Sequence, residues 1–231
     1  MNSSDDFPPD FQKYLTEEKY LCKHVKGGGW IFQTDSQLPT INWVTEMKIR
    51  VVIENHRKLC CSWNTMLQFW KAVKTREDQY LLTIGQQAFS ISGYSCNALY
   101  GYRQACRNYE YYVDNEAEEG GRLGIPGRVF KYKSFEFTPS VIHYTIQEYP
   151  QYHEARHYGI RQLIAFPVFE LSNKQWTGVF ELITTQHDFL LNWGYTTVPI
   201  SETRYRNQDW EFQIDMHPVI KDLFLMMLIC I

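Results

Sequence analysis

The chain has 231 residues, a formal charge of −3, 44 % apolar residues and 16 % aromatic residues. That is enough apolar surface for one domain with a real core, and it excludes wholesale disorder. The slightly acidic balance excludes a chain whose main task is to coat nucleic acid or an anionic membrane, because neutralising phosphates takes a basic surplus.

In chain order, residues 1–41 read as a tail. Met1 to Asp10 is polar and acidic, with neither a basic start nor an apolar stretch, so it is not a secretory signal. Gly27-Gly28-Gly29 and Pro39 interrupt any period, and Trp30, Ile31 and Phe32 are apolar enough to dock onto the body. From Asn42 to about Arg57 the spacing predicts a helix, with Asn42 as N-cap and Val44, Met47, Val51 and Val52 facing a core. His56, near its end, would suit the helix dipole as a cation.

Alternation over Thr65 to Val73 predicts a strand, with Leu67, Phe69 and Val73 on one face and Met66, Trp70 and Ala72 on the other. Gln79 to Ile84 follows a charged turn and completes a hairpin. Ala88 to Ile91 and the tyrosine-rich Tyr109 to Val113 are shorter strand candidates. Asp114 to Gly121 is an acidic surface loop. Pro126 sits where a first helical turn tolerates proline, and that helix is expected to reach about Tyr132. Pro139 and Pro150 bracket a loop with a short helix, and another helix is expected over Gln151 to His157. Arg161 to Leu171 and Gln175 to Thr184 form a long antiparallel hairpin, apolar at both parities, so both of its faces are covered.

This order of elements is α+β, an antiparallel sheet flanked by helices with irregular N- and C-terminal segments. The divisions are residues 1–41, 42–186 and 187–231. Leu223 to Ile231 is wholly apolar or Cys, too short to span a bilayer as a helix. A core-facing terminal helix or a truncated end accounts for it, and no membrane partner is expected.

The six cysteines are Cys22, Cys60, Cys61, Cys96, Cys106 and Cys230. None forms a C-x-x-C pair, so neither zinc nor a disulfide framework is indicated, and a reducing compartment is the simplest home. Adjacent Cys60 and Cys61 could bridge only through a strained ring, which argues against a redox enzyme. No hydrolase elbow, zinc-protease or phosphate-loop motif is present, so no catalytic residue, metal ligand or cofactor is assigned.

Four residues qualify as ligand contacts. Arg128, beside Pro126-Gly127, is either an anion contact at a helix start or the partner of an acid at a loop-to-helix corner. His157 and Arg161, four apart, could share a helix end and hold a flat anion such as nitrate, or could belong to a solvated polar face with His153, Glu154 and Arg156. Trp70 is the fourth. With Trp63, Phe69 and Tyr80 it could line a small-molecule cavity or simply fill the core, and its N–H needs a partner if buried.

The combination Leu67-Gln68-Phe69-Trp70, Tyr80-Leu81-Leu82-Thr83, Gln87-Ala88-Phe89, Tyr102-Arg103, Tyr109-Glu110-Tyr111, Gly124-Ile125-Pro126-Gly127-Arg128-Val129-Phe130, Phe137-Thr138-Pro139, Glu148-Tyr149-Pro150, His157-Tyr158-Gly159-Ile160-Arg161, Phe166-Pro167-Val168-Phe169 and Gly178-Val179-Phe180-Glu181-Leu182 resembles the N-terminal half of the plant NIN-like proteins. These are RWP-RK transcription factors of the nitrate response. The resemblance implies a GAF-like regulatory fold over residues 42–186, a nuclear or cytoplasmic protein, partners of the same family, and nitrate or another small anion as ligand. It implies no enzyme. Neither an RWP-RK segment nor a PB1 domain follows, so the chain reads as truncated before them and no direct DNA contact is expected from it. A dimerisation module acting on full-length relatives, or a degenerate truncated paralogue, is the alternative. The family's Tyr-Arg-x-x-Ser motif reads Tyr102-Arg103-Gln104-Ala105-Cys106 here, which puts a phosphorylation switch at that position in doubt.

Overall fold

The computed structural model describes residues 20–24, 30–34, 43–60, 63–76, 79–85, 87–93, 96–114, 123–170 and 174–187. Among them, one antiparallel sheet of nine strands separates two sets of helices. The strands are β1 (Tyr20–His24), β2 (Trp30–Thr34), β3 (Thr65–Arg76), β4 (Gln79–Thr83), β5 (Phe89–Ser92), β6 (Tyr111–Asp114), β7 (Glu136–Thr138), β8 (Gln162–Glu170) and β9 (Gln175–Thr184). The helices are α1 (Trp43–Leu59), α2 (Cys96–Cys106), α3 (Gly124–Tyr132) and α4 (Tyr152–His157). The sheet runs β1-β2-β5-β3-β9-β8-β7, and β4 branches from β3 to pair with β6.

β3 is the spine because it pairs with β5 and β9 over its first half and with β4 over its second. The alternation expected along it holds. Leu67 and Phe69 pack with Ile49, Val52 and Ile53 of α1, while Met66 and Trp70 pack with Leu99 and Tyr102 of α2 and Ile125, Val129 and Phe130 of α3. The β8–β9 hairpin is likewise covered on both faces: Ile164, Phe166 and Phe180 join the α1 side, and Leu163, Ala165, Val179 and Ile183 the other. Two details of that hairpin follow from backbone chemistry. Pro167 lacks an N–H, yet β7 pairs with β8 only over Leu163 to Ala165, so among the described residues no ladder bond is required on that side of Pro167. At Gly178 a Cβ would stand 2.1 Å from the carbonyl oxygen of Trp70, so only glycine lets β9 lie this close to β3.

The helix over α1 is present, but its phase differs from the expected stripe. Met47 and Val51 are 50 % and 41 % exposed and Val44 is half-buried, whereas Thr45, Ile49, Val52, Ile53 and His56 face the sheet. Hydrophobicity misled because the buried face contains two polar residues that find partners. Thr45 Oγ1 donates to Glu170 at 2.5 Å, with Lys48 at 3.2 Å from the same carboxylate. His56 lies between Ser90 Oγ at 2.7 Å and Thr65 Oγ1 at 3.0 Å. His56 is therefore not the cation expected at a helix end: burial pulls its pKa from 6.5 down to about 3.

Four elements were not foreseen. α2 buries Leu99, Tyr100, Tyr102, Arg103 and Cys106, a face with too few aliphatic residues to register as a period. β7 has only three residues. β1 and β2 lie inside the segment read as a tail, and the docking expected of Trp30, Ile31 and Phe32 takes the form of a strand paired with β5. Asn42, Cys61 and the apolar run from Leu223 lie outside the described residues. No helix among the described residues is long and apolar enough to cross a membrane.

Candidate functional site

Gln68 and Glu181 are directly opposed on β3 and β9, facing α2 rather than α1. Both are fully buried. Gln68 Nε2 donates to Glu181 Oε2 at 2.6 Å, and Trp70 Nε1, two residues along the same face, donates to that oxygen at 2.9 Å. Trp70 thus finds the partner its buried N–H requires.

Arg103 reaches this cluster from α2 and is also fully buried. One end of its guanidinium donates to the carbonyls of Ile84 at 2.6 Å and Gln87 at 3.0 Å, and its plane lies over Phe89, 4.7 Å from the ring centroid. Another nitrogen approaches Gln68 Oε1 at 3.5 Å, a weak contact. One turn further, the Cys106 thiol stands 3.9 Å from Gln68 Nε2. The hydroxyls of Tyr102 and Tyr149 share a short hydrogen bond, which ties α2 to the segment before α4.

Burial dominates the electrostatics. It raises the Glu181 pKa, and the hydrogen bonds from Trp70 and Gln68 and the Arg103 charge recover only part of that cost. It pushes the Cys106 thiol far above its ordinary range, which favours the neutral thiol. Cys60 is buried too. No group of three His, Cys, Asp or Glu able to hold a metal occurs among the described residues.

The four residues singled out from the sequence occupy three places, and none touches another through a hydrogen bond or ring contact. Trp70 belongs to the buried cluster. The aromatic set proposed with it is divided by the sheet: Tyr80 lies on its side, stacked edge-on to Phe130 at 5.1 Å, while Phe69 and Trp63 lie on the α1 side. Arg128 is held by an acid. Its Nε donates to Glu136 Oε2 at 3.0 Å and a terminal nitrogen to Glu136 Oε1 at 2.6 Å, while the other meets the Glu148 carbonyl. Burial would lower the Arg128 pKa, but Glu136 more than offsets it, and the guanidinium is a fixed cross-link from α3 to β7.

His157 and Arg161 are both exposed. They do not share a helix end, because α4 stops at His157 and Gly159 takes φ +68°, a left-handed turn that ends it. His157 stands edge-on to Tyr158 at 4.7 Å. The Arg161 backbone is pinned at both ends, its N–H to Thr184 O and its carbonyl to Val141 N–H, each at 2.8 Å. No ion pair engages its guanidinium among the described residues.

Gln68, Arg103 and Glu181 were not picked out as site residues. Glu181 carried a readable signal: a carboxylate inside the apolar run Gly178 to Ile183 must be paired if that strand is covered on both faces.

A family model described as the NLP protein GAF domain matches residues 40–187. Protein NLP6 of Arabidopsis thaliana is 39 % identical over 122 residues, 53 % of this chain and 14 % of that protein. Protein NLP3 of Oryza sativa subsp. japonica is 39 % identical over 120 residues, 52 % of this chain and 12 % of that protein. Protein NLP2 of Arabidopsis thaliana is 33 % identical over 172 residues, 73 % of this chain and 17 % of that protein. The chain therefore spans less than a fifth of the length of these relatives. Among solved structures, the A. aeolicus nlh2 GAF domain in an inactive state overlaps 60 % of this chain and 80 % of its own at 13 % identity, with a TM-score of 0.30.

Proposed function

The chain belongs to the NLP GAF-domain family, and from that premise we propose that it is a regulatory region acting in nitrate-responsive control of transcription, in the nucleus or cytoplasm, without chemistry or DNA contact of its own. Among the four ligand candidates, Arg161 is the observation that carries the nitrate reading. Arg161 is exposed, has no ion pair among the described residues, and stands on a backbone hydrogen-bonded to the end of β9. Arg128 is already committed to Glu136, and Trp70 adjoins a buried carboxylate that would repel an anion. A flat monoanion at Arg161 would accept from the guanidinium in a fork, and the pinned backbone would pass the change to β8 and β9.

Nitrate binding with a Kd of about 1 mM predicts that 10 mM nitrate stabilises the domain by about 1.4 kcal/mol, a rise in Tm of roughly 3–6 °C. Potassium chloride at equal ionic strength is the control. Arg161→Ala should abolish the rise and Arg128→Lys should not. Equal shifts with nitrate and chloride, or a shift that survives Arg161→Ala, would dismiss this site.

A second reading, a dimerisation module for family members, is favoured by Met47 and Val51. They lie four residues apart on α1 with 50 % and 41 % of their surface exposed. Light scattering on the purified chain should then give twice the monomer mass, and the double variant Met47→Glu, Val51→Glu should return it to monomer. A wild-type monomer at high concentration, alone and with a full-length relative, excludes it.

A further inference from the structure

Glu181 and Tyr111 beside Trp70, and Gln151 beside Tyr111, are buried side chains left incomplete by the protein's own groups. Glu181 receives both of its donors on Oε2, and Oε1 has no partner. Gln151, fully buried at the start of α4, has no well-formed bond at either amide atom. Tyr111 Oη on β6 lies beside the Gln151 amide at the margin of hydrogen-bond geometry and makes no well-formed bond. Trp70 connects the group: it donates to Glu181, and its ring centroid is 5.4 Å from that of Tyr111. A buried polar group without a partner costs about 1–3 kcal/mol, and folded proteins leave few of them. Two such groups flanking Trp70, with a third beside Tyr111, point to a guest that completes them.

We propose that this cluster binds a small uncharged molecule carrying both N–H donors and a carbonyl, the amide or urea class. As a carboxylate, Glu181 can only accept at Oε1, so the guest must bring hydrogen. The Gln151 side chain offers one carbonyl and one NH2, which a second amide matches side by side. The Tyr111 hydroxyl can donate to the guest carbonyl. Nitrate brings acceptors and no hydrogen, and would meet the Glu181 charge. A cation would meet Arg103, whose charge already offsets part of the Glu181 desolvation. A neutral guest avoids both costs. This site is separate from the exposed corner at Arg161 and does not depend on it.

Acetamide is the probe, used on the full chain at tens of millimolar. Its addition should raise the Tm and move the NMR signals of the Trp70 indole N–H and the Gln151 side-chain amide, while potassium nitrate leaves those two signals in place. Gln151→Leu should remove the Tm rise. Glu181→Gln, which can present a donor where wild type presents only an acceptor, should weaken acetamide by about tenfold or more and reduce the discrimination against nitrate. Should Gln151→Leu fail to fold, the wild-type spectra and an acetamide-soaked crystal decide. Unmoved Trp70 and Gln151 signals, or a soaked crystal in which water alone bridges Glu181 Oε1 and Gln151, would overturn the proposal.

Discussion

Replacing Arg103 with alanine should destabilise the domain by about 3–5 kcal/mol, the range for removing one partner from a buried charged network. The change strips the Ile84 and Gln87 carbonyls of their donors and removes the cation over Phe89. It also leaves Glu181 buried without the opposite charge that offsets part of its desolvation. Total stabilities of about 5–15 kcal/mol make this a large share, so the variant should unfold at a much lower denaturant midpoint. Arg103→Lys should recover little, because one ammonium on a flexible stem cannot reproduce a planar fork that bonds two carbonyls while stacking on a ring. Denaturation followed by intrinsic tryptophan fluorescence measures both variants. A loss under 1 kcal/mol for Arg103→Ala would show that the cluster does not cross-link α2 to the sheet.

Acidification should loosen the opposite face. His56 is neutral in the fold with a pKa lowered from 6.5 to about 3, while the unfolded chain takes up its proton near 6.5. The stability this contributes is complete above pH 6.5 and declines as the pH falls through that window towards 3. Each pH unit inside the window costs about 1.4 kcal/mol, so the loss between pH 6.5 and 4.5 is about 2–3 kcal/mol. The structural cause is specific. With both ring nitrogens protonated, the imidazolium donates to both Ser90 and Thr65 and has no carboxylate to meet it. Glu181 acts in the other direction, since its raised pKa gives stability below 4.5 that is lost as the pH rises through its folded value. The two are separated by comparing wild type with His56→Gln, which keeps a donor and an acceptor but does not titrate. The variant's stability should be flatter between pH 6.5 and 4.5, and parallel profiles would exclude His56 as the cause.

Much of the architecture was legible because strand periodicity is local. The two faces of β3 and the β8–β9 hairpin follow from alternation and apolar runs, and both are seen in the pairing. α1 was found but misphased, because its buried face includes Thr45 and His56, whose partners Glu170, Ser90 and Thr65 are remote in sequence or masked by intervening turns. α2 escaped notice because tyrosine, arginine and cysteine do the work that leucine and valine usually do. For Arg128 the sequence left an anion contact and an acid partner both open, and the fold pairs it with Glu136, eight residues on in a three-residue strand.

The amino-acid order alone determined the fold class, the sidedness of the central strands and the family, because each depends on patterns that survive in short windows. Only the tertiary structure decided which polar residues are buried together. Gln68 and Glu181 lie 113 residues apart in the chain and 2.6 Å apart in the sheet. That meeting depends on the register of β3 against β9, and register is a property of two strands at once.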